Sequence, residues 1–297
     1  MLRIGVIGYG YWGPNILRNF STAEGAAVTM ACDMNQQSLK KIKKAFPQTR
    51  LTTDSFELIK DPEVDAVAIA TPVFTHHELA KKALEEGKSV FVEKPFTHTV
   101  ADAEELVNLA EKKKLKIMVD HTFLYTGAVR KIKQLVEDGV LGDLYYFDSV
   151  RVNLGLFQHD INVVWDLAPH DIAIMDYVIG ERPLAVVATG AGHFGRGLED
   201  IAYLTFYYPH NVIAHINVNW LSPVKVRTTL IGGQKKMLVW NDLEPDEKLK
   251  IYDKGVQVRT KEGKYNLLVD YRSGDMWAPR VEQAEAFPAY PDVQGPQ

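Results

Sequence analysis

The opening of the chain constrains its fold most. A short apolar run, Leu2–Ile7, leads straight into Gly8-Tyr9-Gly10-Tyr11-Trp12-Gly13, and a second run at 27–32 ends at Asp33. In this pattern each glycine has its own task. Gly8 permits a tight turn, Gly10 lets the backbone approach a pyrophosphate, and Gly13 lets the next helix pack closely on the strand. Pro14 fits the first turn of that helix, whose N–H groups then face the phosphates. Asp33, 25 positions after Gly8, stands where a carboxylate accepts hydrogen bonds from ribose hydroxyls. An isolated G-x-G-x-x-G would describe an ordinary glycine turn. Set between a strand and a helix, with an acid after the next strand, it predicts a dinucleotide site. The Asp33 charge repels a 2′-phosphate and no arginine follows closely, so NAD is expected rather than NADP.

Up to about residue 120 the same rhythm continues. Short apolar runs at 66–70, Ser89–Val92 and 116–119 alternate with amphipathic stretches such as Ile16, Leu17 and Phe20. A further helix carries Val100, Ala103, Leu106, Val107 and Ala110 on one face behind a capping-box-like Thr99-Val100-Ala101-Asp102. Alternating buried strands and helices predict a doubly wound parallel α/β sheet, a Rossmann domain over residues 1–121. From 122 to 297 the pattern changes. Helices at 127–138 and from Pro169 to Ile179 flank a strand at 144–152, and strands follow at 185–190, 202–207, 212–220, 226–231, 236–240 and 249–252. This reads as an α+β domain with a large, mainly antiparallel sheet.

Composition narrows the function classes. Of 297 residues, 46% are apolar and 24% charged, with a formal charge of −4 and no like-charge block longer than Lys112-Lys113-Lys114. Nucleic acid is therefore not an expected partner, because phosphate binding needs a clustered basic face. No apolar run is long enough for a membrane span, and residues 1–7 lack the apolar region and cleavage site of a signal peptide. With Cys32 as the only cysteine, a reducing, cytoplasmic location is expected. No metal site is expected either. His76-His77 and the remaining histidines lack ligand spacing with cysteines, and no His-Glu-x-x-His occurs.

Candidate site residues cluster after the strands, because ligands of open α/β sheets lie outside the carboxyl ends. Thr71-Pro72 ends one strand and His76 opens the next helix, either as a cofactor contact or as a cap. Glu93-Lys94-Pro95 follows Ser89–Val92, with Pro95 keeping Lys94 out of a helix. An amine there can hold a developing alkoxide or act as an acid. Asp120-His121 ends the last strand of the domain, where His121 reaches the cofactor or bonds at a domain junction. In the second half, Arg151, Asn153 and the loop 155–162 are candidates to grip a sugar or its phosphate, since the arginine fork suits diphosphate. Trp165 either stacks in the site or fills core. Asp166 and His170 lie four apart, and Pro169 between them predicts a helix starting near Ala168, with His170 in its first turn and Asp166 just before it. The helix dipole there favours a neutral imidazole, whereas a nearby Asp166 carboxylate pulls its pKa the other way.

The order of these motifs — the glycine loop, Thr71-Pro72 with His76, Glu93-Lys94-Pro95, and Asp166-Leu167-Ala168-Pro169-His170 — resembles the glucose–fructose oxidoreductase/inositol dehydrogenase/MocA family. The resemblance implies a Rossmann domain, a C-terminal open-faced sheet used to form homodimers or homotetramers, and oxidation of sugars or cyclitols. It further implies that His170 is the acid/base, Asp166 its support and Lys94 the group that polarises the substrate oxygen, with Lys94, Arg151, Asn153, Trp165, Asp166 and His170 meeting the substrate. Cofactor contacts are expected from Gly8, Tyr9, Gly10, Tyr11, Trp12, Gly13, Asp33, Thr71, Pro72, His76, Glu93, Lys94 and His121. The stretches 10–15 and 165–171 look most like a branch acting on nucleotide-linked sugars, such as a UDP-N-acetylhexosamine 3-dehydrogenase. A cyclitol or free-sugar dehydrogenase is the alternative within this class, and a non-catalytic dinucleotide sensor is the alternative outside it. Many family members continue with packing helices, and residues 280–287 begin like one before Pro288, Pro291, Gly295 and Pro296 end it.

Overall fold

The computed structural model describes residues 1–155, 161–195, 197–258 and 269–279. Most of the expected loop at 155–162 and the helix expected at 280–287 therefore lie outside the described residues. Contacts divide the chain into two units, Met1–Asp120 and His121–Gln297.

The first unit is a parallel sheet of six strands, β1 (Leu2–Ile7), β2 (Ala26–Cys32), β3 (Arg50–Thr52), β4 (Ala66–Ile69), β5 (Ser89–Val92) and β6 (Ile117–Val119), in the order β3-β2-β1-β4-β5-β6. This is the doubly wound arrangement whose strand order reverses beside β1. Helices α1 (Gly13–Thr22), α2 (Gln36–Ala45), α3 (Ser55–Lys60), α4 (His76–Glu85) and α5 (Val100–Lys113) connect the strands. Two apolar clusters cover the sheet. One joins Ile4 and Val6 with Ile16, Leu17 and Ile42, and the other joins Ile7 and Ile69 with Leu79, Leu84 and Leu106. Burial on both faces explains why these strands read as unbroken apolar runs. The three-residue β3 carries too short a run to be read from the sequence.

The second unit holds α6 (Gly127–Glu137), β7 (Leu144–Leu154), α7 (Val163–Ile179), β8 (Ala185–Ala191), β9 (Ile201–Tyr207), β10 (Ile213–Asn219), β11 (Leu221–Gly233), β12 (Met237–Asn241), β13 (Leu249–Val258) and β14 (Val269–Trp277). Their sheet runs β14-β13-β12-β11-β7-β10-β9-β8, with β7 and β10 parallel and the other neighbours antiparallel. Alternation along β9 and β10 turns Leu204, Phe206, Ala214, Ile216 and Val218 toward Ile174, Met175 and Val178 of α7. The opposite face leaves Tyr203, Tyr207 and Ile213 more than 40% exposed.

The sequence reading of α7 requires correction. Instead of starting near Ala168, the helix runs through Pro169 from Val163, with the Asn162 side chain accepting the Trp165 N–H at its start. An interior proline forfeits one backbone hydrogen bond and costs about 3 kcal/mol. The N-cap, together with burial of Val163, Ala168, Ile174, Met175 and Val178, offsets that cost. His170 is therefore the eighth residue of the helix, two turns in and beyond the strongest reach of the helix dipole.

Candidate active site

Strand register explains why the motifs of the first unit meet. Cys32, Ile7, Ile69, Val92 and Val119 pair successively across β2, β1, β4, β5 and β6. The residues that follow them, Asp33, Gly8, Ala70-Thr71, Glu93-Lys94 and Asp120, consequently line one carboxyl edge. Two of the glycines are demanded by the fold. Gly8 has φ +98°, and a Cβ there would stand 2.5 Å from the Ala70 carbonyl oxygen. A Cβ on Gly13 would stand 2.2 Å from the Gly8 oxygen. Gly10 differs, because a Cβ there meets nothing within 4 Å. Its bareness leaves room for a ligand rather than for the chain. Trp12 precedes α1 without any side-chain cap, so the helix start offers its polar end to an anion.

Asp33 accepts the Tyr9 N–H through Oδ2 and the Asn35 N–H through Oδ1, both at 2.7 Å. These bonds fix the carboxylate against the glycine turn, and each oxygen keeps a lone pair for a ribose hydroxyl. Tyr11 is 71% exposed. On the other side of β1, the Thr71 and Thr75 hydroxyls pair at 2.7 Å, with Pro72 exposed between them.

His76 lies inside the protein. Its Nε2 faces the Thr71 carbonyl oxygen at 2.8 Å and its Nδ1 faces that of Pro95 at 3.0 Å. Burial lowers its pKa against the opposing pull of these carbonyls. The ring thus ties the turn after β4 to the segment after β5. Glu93 is also buried. One carboxyl oxygen accepts the Lys94 N–H at 2.8 Å, and the group hydrogen-bonds Asp120. Asp120 in turn accepts the Trp12 indole N–H at 3.1 Å. Lys94 is half-buried and its peptide bond to Pro95 is cis.

In the second unit the continuous α7 puts Asp166 and His170 at i and i+4, on one face of the helix. Trp220, between β10 and β11, donates its indole N–H to Asp166 Oδ2 at 3.1 Å. The Phe123 ring meets His170 edge-on, 5.0 Å between centroids, and the Arg151 guanidinium lies 4.7 Å over that same ring. His121 heads the short turn Thr122–Tyr125 that carries Phe123.

Arg151 calls for a revised reading. It is 3% exposed, its Nε donates to Asp171 Oδ2 at 2.5 Å, and a second nitrogen donates to Asp171 Oδ1 at 3.2 Å. Ser149 adds a hydroxyl donor to Asp171 at 2.8 Å. A guanidinium engaged in this way is not placed to grip a substrate phosphate, and its neighbour Arg227 is held below its ordinary pKa by burial and then by Arg151. Asn153 stands half-buried near the end of β7, and Trp165 is 37% exposed on α7. Sequence reasoning missed the pairings of Asp171 with Arg151, Phe123 with His170, Trp220 with Asp166 and Asp120 with Trp12, because the members of each pair lie 20 or more residues apart. Among the described residues no group of three or more His, Cys, Asp or Glu is arranged to hold a metal, and no helix is long and apolar enough to cross a membrane. Burial pushes the Cys32 thiol up to about 12, which leaves it unreactive.

Residues 2–121 match the model of the oxidoreductase family with an NAD-binding Rossmann fold, and residues 129–239 match the Gfo/Idh/MocA C-terminal domain. The chain belongs to the Gfo/Idh/MocA family of oxidoreductases. Among family relatives, an uncharacterized oxidoreductase of Streptococcus pneumoniae is 28% identical over 66% of this chain and 56% of its own length. The myo-inositol 2-dehydrogenase of Thermotoga maritima is 28% identical over 64% of this chain and 58% of its own length. This chain thus spans less than two thirds of either relative. Among solved structures of the same fold, a UDP-N-acetylglucosamine 3-dehydrogenase from Acidithiobacillus ferrooxidans superposes with a TM-score of 0.74 at 22% identity, covering 94% of this chain and 85% of that one. The family's cofactor is NAD, and the open Gly10, the uncapped start of α1 and the fixed Asp33 carboxylate all suit it.

Proposed function

We propose that this chain is an NAD-dependent dehydrogenase that interconverts a secondary hydroxyl and a ketone on a nucleotide-linked sugar. The observation that carries this reading is α7, which sets an imidazole one turn after a carboxylate that Trp220 already fixes. A general base has to be held in one orientation, and its cation has to be stabilised as it forms. When bound, NAD supplies the two-electron acceptor for the oxidation. His170 takes the hydroxyl proton, and Asp166 stabilises the resulting imidazolium. The Lys94 ammonium steadies the negative charge that grows on the substrate oxygen. In the reducing direction His170 returns the proton.

Support for a nucleotide-linked substrate comes from the segments Gly10-Tyr11-Trp12-Gly13-Pro14-Asn15 and 165–171, which look like the nucleotide-sugar branch of the family. A cyclitol substrate is the second reading, favoured by the identity to the Thermotoga maritima myo-inositol 2-dehydrogenase and by the inward placement of Arg151. Following NADH absorbance with NAD and separate panels of nucleotide sugars, cyclitols and free sugars decides between them. Turnover confined to nucleotide sugars supports the first reading and turnover confined to cyclitols the second. NAD binding with no turnover on any panel indicates a dinucleotide sensor. We also propose that copies of the chain associate through the sheet face bearing Tyr203, Tyr207 and Ile213, since apolar side chains clustered in the open favour contact with protein. Light scattering on a Tyr203→Glu/Tyr207→Glu variant, expected to be smaller than the wild type, tests that.

A further inference from the structure

Two buried acids in the first unit do work that the proposed reaction leaves unassigned. Glu93 and Asp120 are 9% and 8% exposed, at the ends of β5 and β6. Two carboxylates cannot both stay ionised in contact at such depth, since each would lack a donor toward the other. A single proton removes the conflict. The Glu93 carboxyl then donates to the Asp120 carboxylate while its other oxygen accepts the Lys94 N–H at 2.8 Å. Asp120 keeps the Trp12 indole N–H at 3.1 Å. Trp12 follows β1 and Asp120 follows β6, with β4 and β5 between those strands. The indole therefore reaches along the carboxyl edge past two strands, and the pair links the glycine turn to the main chain of Lys94.

We propose that Glu93 and Asp120 share one proton and act as a positioning pair, holding the Trp12 side of the glycine turn and Lys94 in register for the cofactor. Burial, followed by the Asp120 charge, pushes the Glu93 carboxyl up to about 9, while the Lys94 charge acts in the opposite sense. The raised value means that the proton is retained through neutral pH and released only above that point. Release sets two negative charges against each other, breaks the Glu93–Asp120 bond and loosens both attachments. The part of this inference that concerns Lys94 rests on the proposed reaction, but the part that concerns NAD binding does not.

The test is NAD binding by calorimetry on the full chain across neutral and alkaline pH, without any sugar, for wild type and Glu93→Gln. Glutamine is neutral at every pH, and its amide can donate to Asp120 and accept from Lys94. Wild-type affinity should hold through neutral pH and fall at least about tenfold once the shared proton is lost, one pKa unit of differential interaction corresponding to about tenfold. Glu93→Gln, whatever its affinity at neutral pH, should lack the alkaline fall and vary by less than about threefold between neutral and alkaline pH. Glu93→Ala, checked by circular dichroism to be folded, should lose about tenfold or more already at neutral pH. A wild type with no alkaline fall, a Glu93→Gln variant that falls in step with wild type, or a folded Glu93→Ala variant with wild-type affinity would each overturn the proposal. Because no sugar is present, failure to find an oxidised substrate would count against the proposed reaction and leave this result standing.

Discussion

The Trp220 indole N–H is bonded to the Asp166 carboxylate at 3.1 Å, one helical turn before His170. Trp220 is 1% exposed, so the donor sits in low dielectric, where a hydrogen bond to a charged acceptor contributes about 1.5–3 kcal/mol. The carboxylate proposed to serve His170 is thus held by a buried tryptophan between two strands of the sheet.

Replacing that donor tests its worth. Trp220→Phe keeps an aromatic ring but removes the N–H. With that bond lost, kcat should drop about tenfold while the KM for NAD stays unchanged, since neither Trp220 nor Asp166 is a proposed NAD contact. Steady-state kinetics with both substrates varied would check this. An unaltered kcat would remove Trp220 from the account.

The Arg151–Asp171 pair makes a different kind of prediction. Both side chains are buried, at 3% and 2% exposure, and Arg227 lies close enough to feel the Arg151 charge. Asp171→Asn would leave guanidinium charge uncompensated inside the unit, at a cost of about 3–5 kcal/mol. Urea unfolding should show this as a lower midpoint. A loss below about 1 kcal/mol would mean that the pair is not the anchor of α7 on the sheet.

The glycine turn separates fold from ligand. Gly10→Ala introduces a Cβ into open space, so its melting temperature should lie within about 2 °C of wild type. Its NAD dissociation constant should rise at least about tenfold, because the methyl occupies ground the pyrophosphate needs. Gly8→Ala, with φ +98° and the Ala70 oxygen 2.5 Å from the new Cβ, should instead destabilise the protein by more than about 1 kcal/mol. Calorimetry and thermal melts on the two variants check both statements, and equal NAD affinity in Gly10→Ala and wild type would contradict the first.

The difference between those glycines reflects what a sequence can and cannot carry. The strand, glycine turn, helix and Asp33 of the first unit are local in the chain, and the apolar runs of doubly buried strands name themselves. The fold class and the edge bearing Thr71, Glu93 and Lys94 were legible for that reason. Pro169 misled because its penalty is local, whereas the burial that offsets it comes from the sheet. Arg151 misled because one residue type serves both a surface phosphate and a buried carboxylate. Only the position of Asp171, 20 residues later, decides between them. Trp12 with Asp120 and Asp166 with Trp220 are 108 and 54 residues apart, and no pattern in the intervening sequence announces either bond.

The proposed chemistry requires both Lys94 and His170. Lys94→Ala and His170→Ala should each still bind NAD in calorimetry, yet lose about 100-fold or more in NADH formation with the substrate identified from the panels. Near-normal NADH formation in either variant would contradict the account and take that residue out of the chemistry.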